Sequence, residues 1–268
     1  MKTFEKKKRV QEGNFHVYFR GNNRTIVFYD DIERIEFIKR LYFASLRYET
    51  FIWAFVLMTN HVHIQLVTMR LTEFMKGFLQ SYVRWYNIKN QTNDKLFKTP
   101  FNSTCKRSEK WIADSILYIL QNPIKAGICQ HPSEYKWSSY HFHFHRFSPL
   151  KKYIKVDTSF IDKIFINIKN LDIAIKERML AIPEINENSN GTWENIPDNK
   201  LAETMQLYLK GKSIHLLTIN EVESLMKYLK YETKASFRQI ASLTHQNYNY
   251  VIRICKSSRE TSLLNQHK

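Results

Sequence analysis

Two β-rich runs, TFIWAFVLM (50–58) and HVHIQLVT (61–68), are separated only by Thr59 and Asn60. A gap that short predicts an antiparallel hairpin, and a hairpin commits the chain to a sheet. The second run opens on His61 and His63, one residue apart and otherwise among apolar neighbours. Strand side chains alternate between faces, so both imidazoles project the same way, about 7 Å apart along the chain. The pair is then either two metal ligands or two polar residues on a wet sheet face.

The flanking sequence supplies the rest of a layered domain. NFHVYFR (14–20) alternates as a strand and runs into the turn-like GNNR (21–24). DDIERIEFIKRLYFASLRY (30–48) is acidic at its start and carries Ile32, Ile35, Phe37, Ile38, Leu41 and Leu46 at helical spacing. A second helix is predicted over 71–90, with Phe74, Phe78, Leu79 and Trp85 as core. FKTPFNSTCKRS (97–108) reads as an irregular basic loop, whose Lys106 and Arg107 are candidate DNA contacts. Ser108 then suits a helix N-cap, and the helix it opens is expected to stop at Asn122, before Pro123. Strand, helix, hairpin, helix, helix predicts an α+β fold, a ferredoxin-like antiparallel sheet covered by helices.

This first domain is expected over 1–148, followed by a helical connector and polar linker over 149–199. PEINENSNGTWENIPDN (183–199) is the turn-rich part of that linker. An all-helical unit is expected over 200–268. In it, SFRQIASLT (236–244) and YNYVIRICK (248–256) are separated by the short HQN, the length of a helix-turn-helix corner. Ile240, Ala241, Leu243, Val251 and Ile254 would pack inside, leaving Asn247, Tyr248, Asn249 and Arg253 to face a groove. His245 sits at a corner that normally prefers glycine.

Charge narrows the partner. Among 268 residues, 41 Lys and Arg against 25 Asp and Glu leave a net charge of +16, which favours a polyanion, nucleic acid before anionic membrane. Hydrophobic content of 43% and aromatic content of 14% exclude a disordered chain. Cys105, Cys129 and Cys255 lie far apart, which argues against a disulfide framework and a four-cysteine zinc site. No apolar segment follows the basic N-terminus and no run has the length of a membrane span, so a reducing cytoplasm is expected, with nucleoid association through DNA.

Tyr118 and Asn122, four residues apart on the predicted third helix, share one helical face. Packed over the histidines, that face would bring a phenol and a carboxamide to two imidazoles. Two imidazoles and an amide oxygen with open positions suit Mg²⁺ or Mn²⁺ better than structural zinc. Tyr82 and Tyr86 on the preceding helix are rival nucleophiles. YHFHFHRF (140–147) would place His141, His143 and His145 on one face of any strand, and reads as aromatic packing with phosphate or base contact. Arg20, Asn22, Asn23 and Arg24 form a polar loop suited to DNA or to a plain turn.

Four blocks in order carry a resemblance to the HUH single-tyrosine transposases, and within them the REP-associated tyrosine transposases. HVYFRGNNRTIVFYDD looks like that family's opening strand and loop, and AFVLMTNHVHIQLV resembles its N-H-V-H segment. YILQNPIKAGI is similar to its Y-I-x-x-N-P block, and YKWSSY to its W-S-S-Y. Thr59 stands where the family usually has proline. The resemblance covers roughly the first 140 residues. It implies His61, His63 and Asn122 as metal ligands and Tyr118 as nucleophile. It further implies cleavage of single-stranded, hairpin-associated DNA through a 5′-phosphotyrosine with a free 3′-hydroxyl, and strand transfer by the reverse step. An idle DNA-binding regulator on the same fold and an RNA-binding module are the competing readings. A single copy and a homodimer are both open.

Overall fold

The computed structural model describes residues 9–22, 25–93, 95–98, 100–181, 196, 198–210, 212–233 and 235–264. Its first part runs β1 (Gly13–Arg20), α1 (Asp31–Arg47), β2 (Phe51–Leu57), β3 (His61–Thr68), α2 (Leu71–Asn90), β4 (Asn102–Cys105) and α3 (Glu109–Lys125). The strands form one antiparallel sheet in the order β2-β3-β1-β4. This is an α+β architecture, and its βαββαβ order is the ferredoxin-like pattern. The hairpin forms as the sequence requires, with the Met58 N–H donating to the His61 carbonyl at 2.9 Å across the turn.

Alternation divides the sheet into two chemistries. Phe15, Val17 and Phe19 of β1 and Val62, Ile64 and Leu66 of β3 are buried, and they form one core with Phe37, Ile38, Leu41, Phe74 and Phe78 of α1 and α2. The residues between them, His16, Tyr18 and Arg20 on β1 and His61, His63 and Gln65 on β3, lie on the opposite face. There Tyr18 opposes His63 and Arg20 opposes His61.

Two local expectations are corrected. The stretch read as an irregular basic loop contains β4, which pairs Asn102 with Tyr18 and Cys105 with Phe15. The free edge of β1 recruits this short polar segment, so pairing rather than propensity makes it a strand. The third helix also does not stop at Asn122 but continues through Pro123 to Lys125. Proline lacks an N–H, but so near a helix end this removes only one late backbone bond.

Helices α4 (Ser159–Phe165) and α5 (Ile168–Ala181) follow. Leu150, Ile154, Ile161, Leu171 and Ile175, from the segment expected as a connector, are buried within the first core. The turn-rich linker lies outside the described residues apart from Ile196 and 198–199. Helices α6 (Asp198–Leu209), α7 (Ile219–Glu232), α8 (Phe237–Thr244) and α9 (Tyr248–Leu264) form the C-terminal unit. Its core gathers Leu201, Met205, Leu225, Leu229, Ile240, Leu243 and Val251, with Ile26 reaching in from the loop after β1. Ala241 and Ile254 are partly buried against it. No helix among the described residues is long and apolar enough to cross a membrane.

The α8–α9 corner places His245 in the left-handed region (φ 55°, ψ 28°) without the glycine that region favours. The Tyr29 hydroxyl, from the first part of the chain, meets the His245 Nε2 at 2.5 Å and holds the corner.

The histidine-rich run is not a strand. Residues 139–145 form tight 3-10 turns broken at His143 and Phe144, so the three imidazoles diverge. His141 Nε2 lies 2.8 Å from the Ser133 carbonyl, His145 is exposed, and the fully buried His143 meets Asp162 at 2.8 Å. Burial works to raise the Asp162 carboxyl, but hydrogen bonds from His143, the Thr158 hydroxyl and the Phe144 N–H outweigh it and hold it below its ordinary value. A carboxyl lowered on folding stabilises the native state above its unfolded value of about 3.9, and this contribution fades as pH falls through the folded value. Asp162→Asn is therefore expected to cost about 1–3 kcal/mol at neutral pH. Urea-unfolding midpoints taken at successively lower pH should show the gap from wild type closing below about pH 4.

Candidate active site

The polar sheet face is roofed by α3. Ser108 caps that helix, its hydroxyl accepting from the Trp111 N–H at 3.3 Å. Ser115, Tyr118 and Asn122 follow at i, i+3 and i+7 and form one stripe facing the sheet. A buried amide fixes the stripe. The Ser115 hydroxyl donates to Gln65 Oε1 at 2.7 Å, and Gln65 Nε2 donates to Asn14 Oδ1 at the start of β1.

One turn along, the phenol meets the imidazoles. The rings of His63 and Tyr118 are 5.4 Å apart, and those of His16 and Tyr118 are 5.8 Å apart. His61 and His63 have ring centroids 5.2 Å apart, close to the roughly 5 Å that two imidazoles bound to one ion at ~2.1 Å would show. The His61 Nδ1 lies 2.7 Å from Asn60 Oδ1, so it carries the proton, and the lone pair sits on Nε2. The His63 Nδ1 is held at 2.9 Å by His16 Nε2, and Tyr18 stacks on the same ring at 4.7 Å. Asn122 Nδ2 donates to the Tyr118 carbonyl at 2.8 Å, which commits the nitrogen and leaves the oxygen as the atom that could hold a cation. Among the described residues no group of three or more His, Cys, Asp and Glu is arranged for a metal ion. A cation here would use two imidazoles, whose spacing suits one ion, and the amide oxygen of Asn122, which lines the same cavity.

Burial sets the charge state. Desolvation, then the neighbouring His16 and His61, pushes His63 down to about 2, and desolvation followed by Lys106 pushes His16 down to about 4. Both rings are neutral at physiological pH, the form in which imidazole binds metal. Positive charge sits at the rim instead. The Arg178 guanidinium lies 5.2 Å from the Tyr118 ring centroid and grips Asp114 through Nε at 2.7 Å and Nη2 at 3.3 Å. The Lys125 ammonium lies 5.9 Å from the same ring.

His61, His63, Tyr118 and Asn122 thus surround one cavity of about 510 Å³, which Lys106 also lines. The adjoining Arg107 is exposed and does not line it. Arg20, Asn22, Asn247 and Tyr248 instead line a larger groove of about 1240 Å³ between the first part and the C-terminal unit. Asn249 and Arg253 are exposed outside that groove's lining, and Asn23 and Arg24 lie outside the described residues. The rival tyrosines, Tyr82 and Tyr86, are buried in the α1–α2 core, away from the cavity. His16, Tyr18, Asp114, Ser115 and Arg178 are site residues that sequence reasoning did not single out. Alternation in NFHVYFR already set His16 and Tyr18 in phase with Arg20, whereas Arg178 offered no signal.

No protein-family model and no curated protein matches this chain. Among solved structures, one described as "Structure of the REP associates tyrosine transposase bound to a REP hairpin" aligns at 15% identity and a TM-score of 0.45. The alignment covers 59% of this chain and 94% of that one.

Removing the Ser115 hydroxyl leaves a buried amide oxygen without its donor. Ser115→Ala is expected to lower stability by about 1–3 kcal/mol in urea unfolding, a cost out of proportion to the single atom deleted.

Proposed function

We propose that this chain is a metal-dependent, single-stranded DNA endonuclease and strand transferase of the HUH single-tyrosine transposase type. The observation that carries the reading is the convergence, on one cavity, of two imidazoles from β3 with a phenol and a carboxamide from one stripe of α3. A buried core tyrosine would have no use for two imidazoles and a cationic rim.

In this reading Tyr118 is the nucleophile. Its oxygen attacks the scissile phosphorus in line, a tyrosine–phosphorus bond forms, the bond to the 3′ oxygen breaks, and a 3′-hydroxyl departs. The strand 3′ of the cut stays on the protein through its 5′-phosphate. Strand transfer reverses the step, with a 3′-hydroxyl displacing Tyr118. His61, His63 and the Asn122 oxygen would hold Mg²⁺ or Mn²⁺, which supplies polarisation of the phosphodiester and offsets charge as it develops. His16 and Tyr18 orient His63 from behind, and Asn60 orients His61, as outer partners do at metal sites. Lys106, Lys125 and Arg178 attract the strand, so binding should weaken steeply with salt. The C-terminal unit, 200–268, is a DNA-binding extension of the same enzyme.

The test is covalent capture. Single-stranded hairpin oligonucleotides labelled at either end are incubated with Mg²⁺ or Mn²⁺, and the products are resolved under denaturing conditions. A metal-dependent adduct that keeps the label 3′ of the cut, and disappears in both Tyr118→Phe and His63→Ala, is the expected result. An adduct surviving Tyr118→Phe would remove Tyr118 as the nucleophile. Tight hairpin binding with no adduct would favour an idle regulator.

A further inference from the structure

The larger groove has walls from two distant parts of the sequence. One wall is the end of β1 and the segment beside it, with Arg20, Lys95 and Lys98. The other is α8, with Arg238 in its first turn, and the α8–α9 corner, with Asn247 and Tyr248. Four of the lining residues are Lys or Arg and none is Asp or Glu. Among the described residues no carboxylate pairs with any of these four cations. A concave surface of one charge sign focuses potential on a polyanion.

The walls are fixed to one another. Ile26 is buried in the C-terminal core, and Tyr29 holds His245. The Ser213 hydroxyl donates to Asn90 Oδ1 at 2.9 Å, and Tyr86 meets His215 Nε2 at 3.2 Å. The near wall is equally constrained. A side chain at Gly21 would place its Cβ 2.1 Å from the Thr25 carbonyl oxygen, and the Lys98 N–H donates to the Arg20 carbonyl at 2.9 Å.

The groove also lies beside the active site along β1. Arg20 lines it, Arg20 opposes His61 in the sheet, and Tyr18, two residues earlier on the same face, lines the active-site cavity. We propose that this groove carries the single-stranded nucleic acid that runs on from the scissile phosphate. Its backbone lies along Arg20, Lys95, Lys98 and Arg238, and a base stacks on the exposed Tyr248. The α8–α9 corner is then one wall of the substrate channel. A helix that reads duplex must project freely into a major groove ~12 Å wide, whereas the first residues of α9 face protein across the groove. The inference deepens the proposed cutting reaction and rests on it for the strand's direction, but occupancy of the groove can be measured without cutting.

The experiment uses the full chain in EDTA, so that no cleavage is scored. Fluorescence polarisation follows binding of a labelled twenty-nucleotide oligothymidylate and of a duplex of equal length over a series of salt concentrations. Lys98→Ala and Arg238→Ala, one on each wall, should each weaken single-strand binding several-fold and reduce the slope of log K against log salt by about 0.7. Lys163→Ala, which removes an exposed charge on α4, should leave both unchanged. Equal losses in all three variants would reduce the effect to overall charge and overturn the proposal. A greater loss for duplex than for single strand would also overturn it, making the corner a duplex reader. Absence of an adduct in the capture experiment would remove the cutting reaction while leaving this measurement readable.

Discussion

The Gln65 side chain is bonded on both sides, and the functional geometry depends on it. It is fully buried on β3, accepts from Ser115 on α3 and donates to Asn14 at the start of β1. In a low-dielectric interior an amide with either bond missing is costly, so only one rotation of α3 about its axis satisfies it. That rotation points Tyr118 and Asn122 at the histidines. The same hydrogen bonds tie the helix to both central strands, so the phenol, the carboxamide and the imidazoles are placed by one set of contacts.

Charge is arranged around this frame in two zones. Inside, burial keeps His16 and His63 neutral, and the hydrogen bond between them leaves one ring-nitrogen lone pair for the pair. Outside, Lys106, Lys125 and Arg178 stand at the rim, and four more cations line the adjoining groove. On the proposed function, a neutral centre within a positive surround suits a phosphodiester, whose backbone is held at many points while one phosphate is worked upon. The net charge of +16 is thus partly focused along a path over the sheet.

Most of the sheet and the first two helices were legible because their periods are strong and local. The hairpin, α1 and α2 stand where alternation and helical spacing put them. β4 was not legible, because Asn102, Ser103 and Thr104 have no strand pattern of their own and become a strand only through β1. Pro123 misled for a related reason, since a breaker near a helix end costs too little to end it. The alternating histidines and aromatics at 140–145 mimic a strand, but the buried pairing of His143 with Asp162 depends on a residue 19 positions away. The gathering of His61, His63, Tyr118 and Asn122 on one cavity was legible from spacing and resemblance. Arg178 was not, being 60 residues beyond Tyr118 on a helix with no mark of its own. Register likewise lies beyond a single sequence. The phase of His16 was readable, but its bond to His63 was not.

The position of β1 has a consequence for how the protein comes into being. The first of the described strands ends up in the middle of the sheet, between β3 and β4, and so waits for partners that lie about 50 and 90 residues further on. Contacts of such separation form late, because the intervening loops must first be closed. A chain emerging from synthesis therefore holds both imidazoles of β3 before it has the phenol of α3, and the phenol before Arg178 arrives on α5. On the proposed chemistry, a copy made only as far as β3 has the imidazoles without the nucleophile.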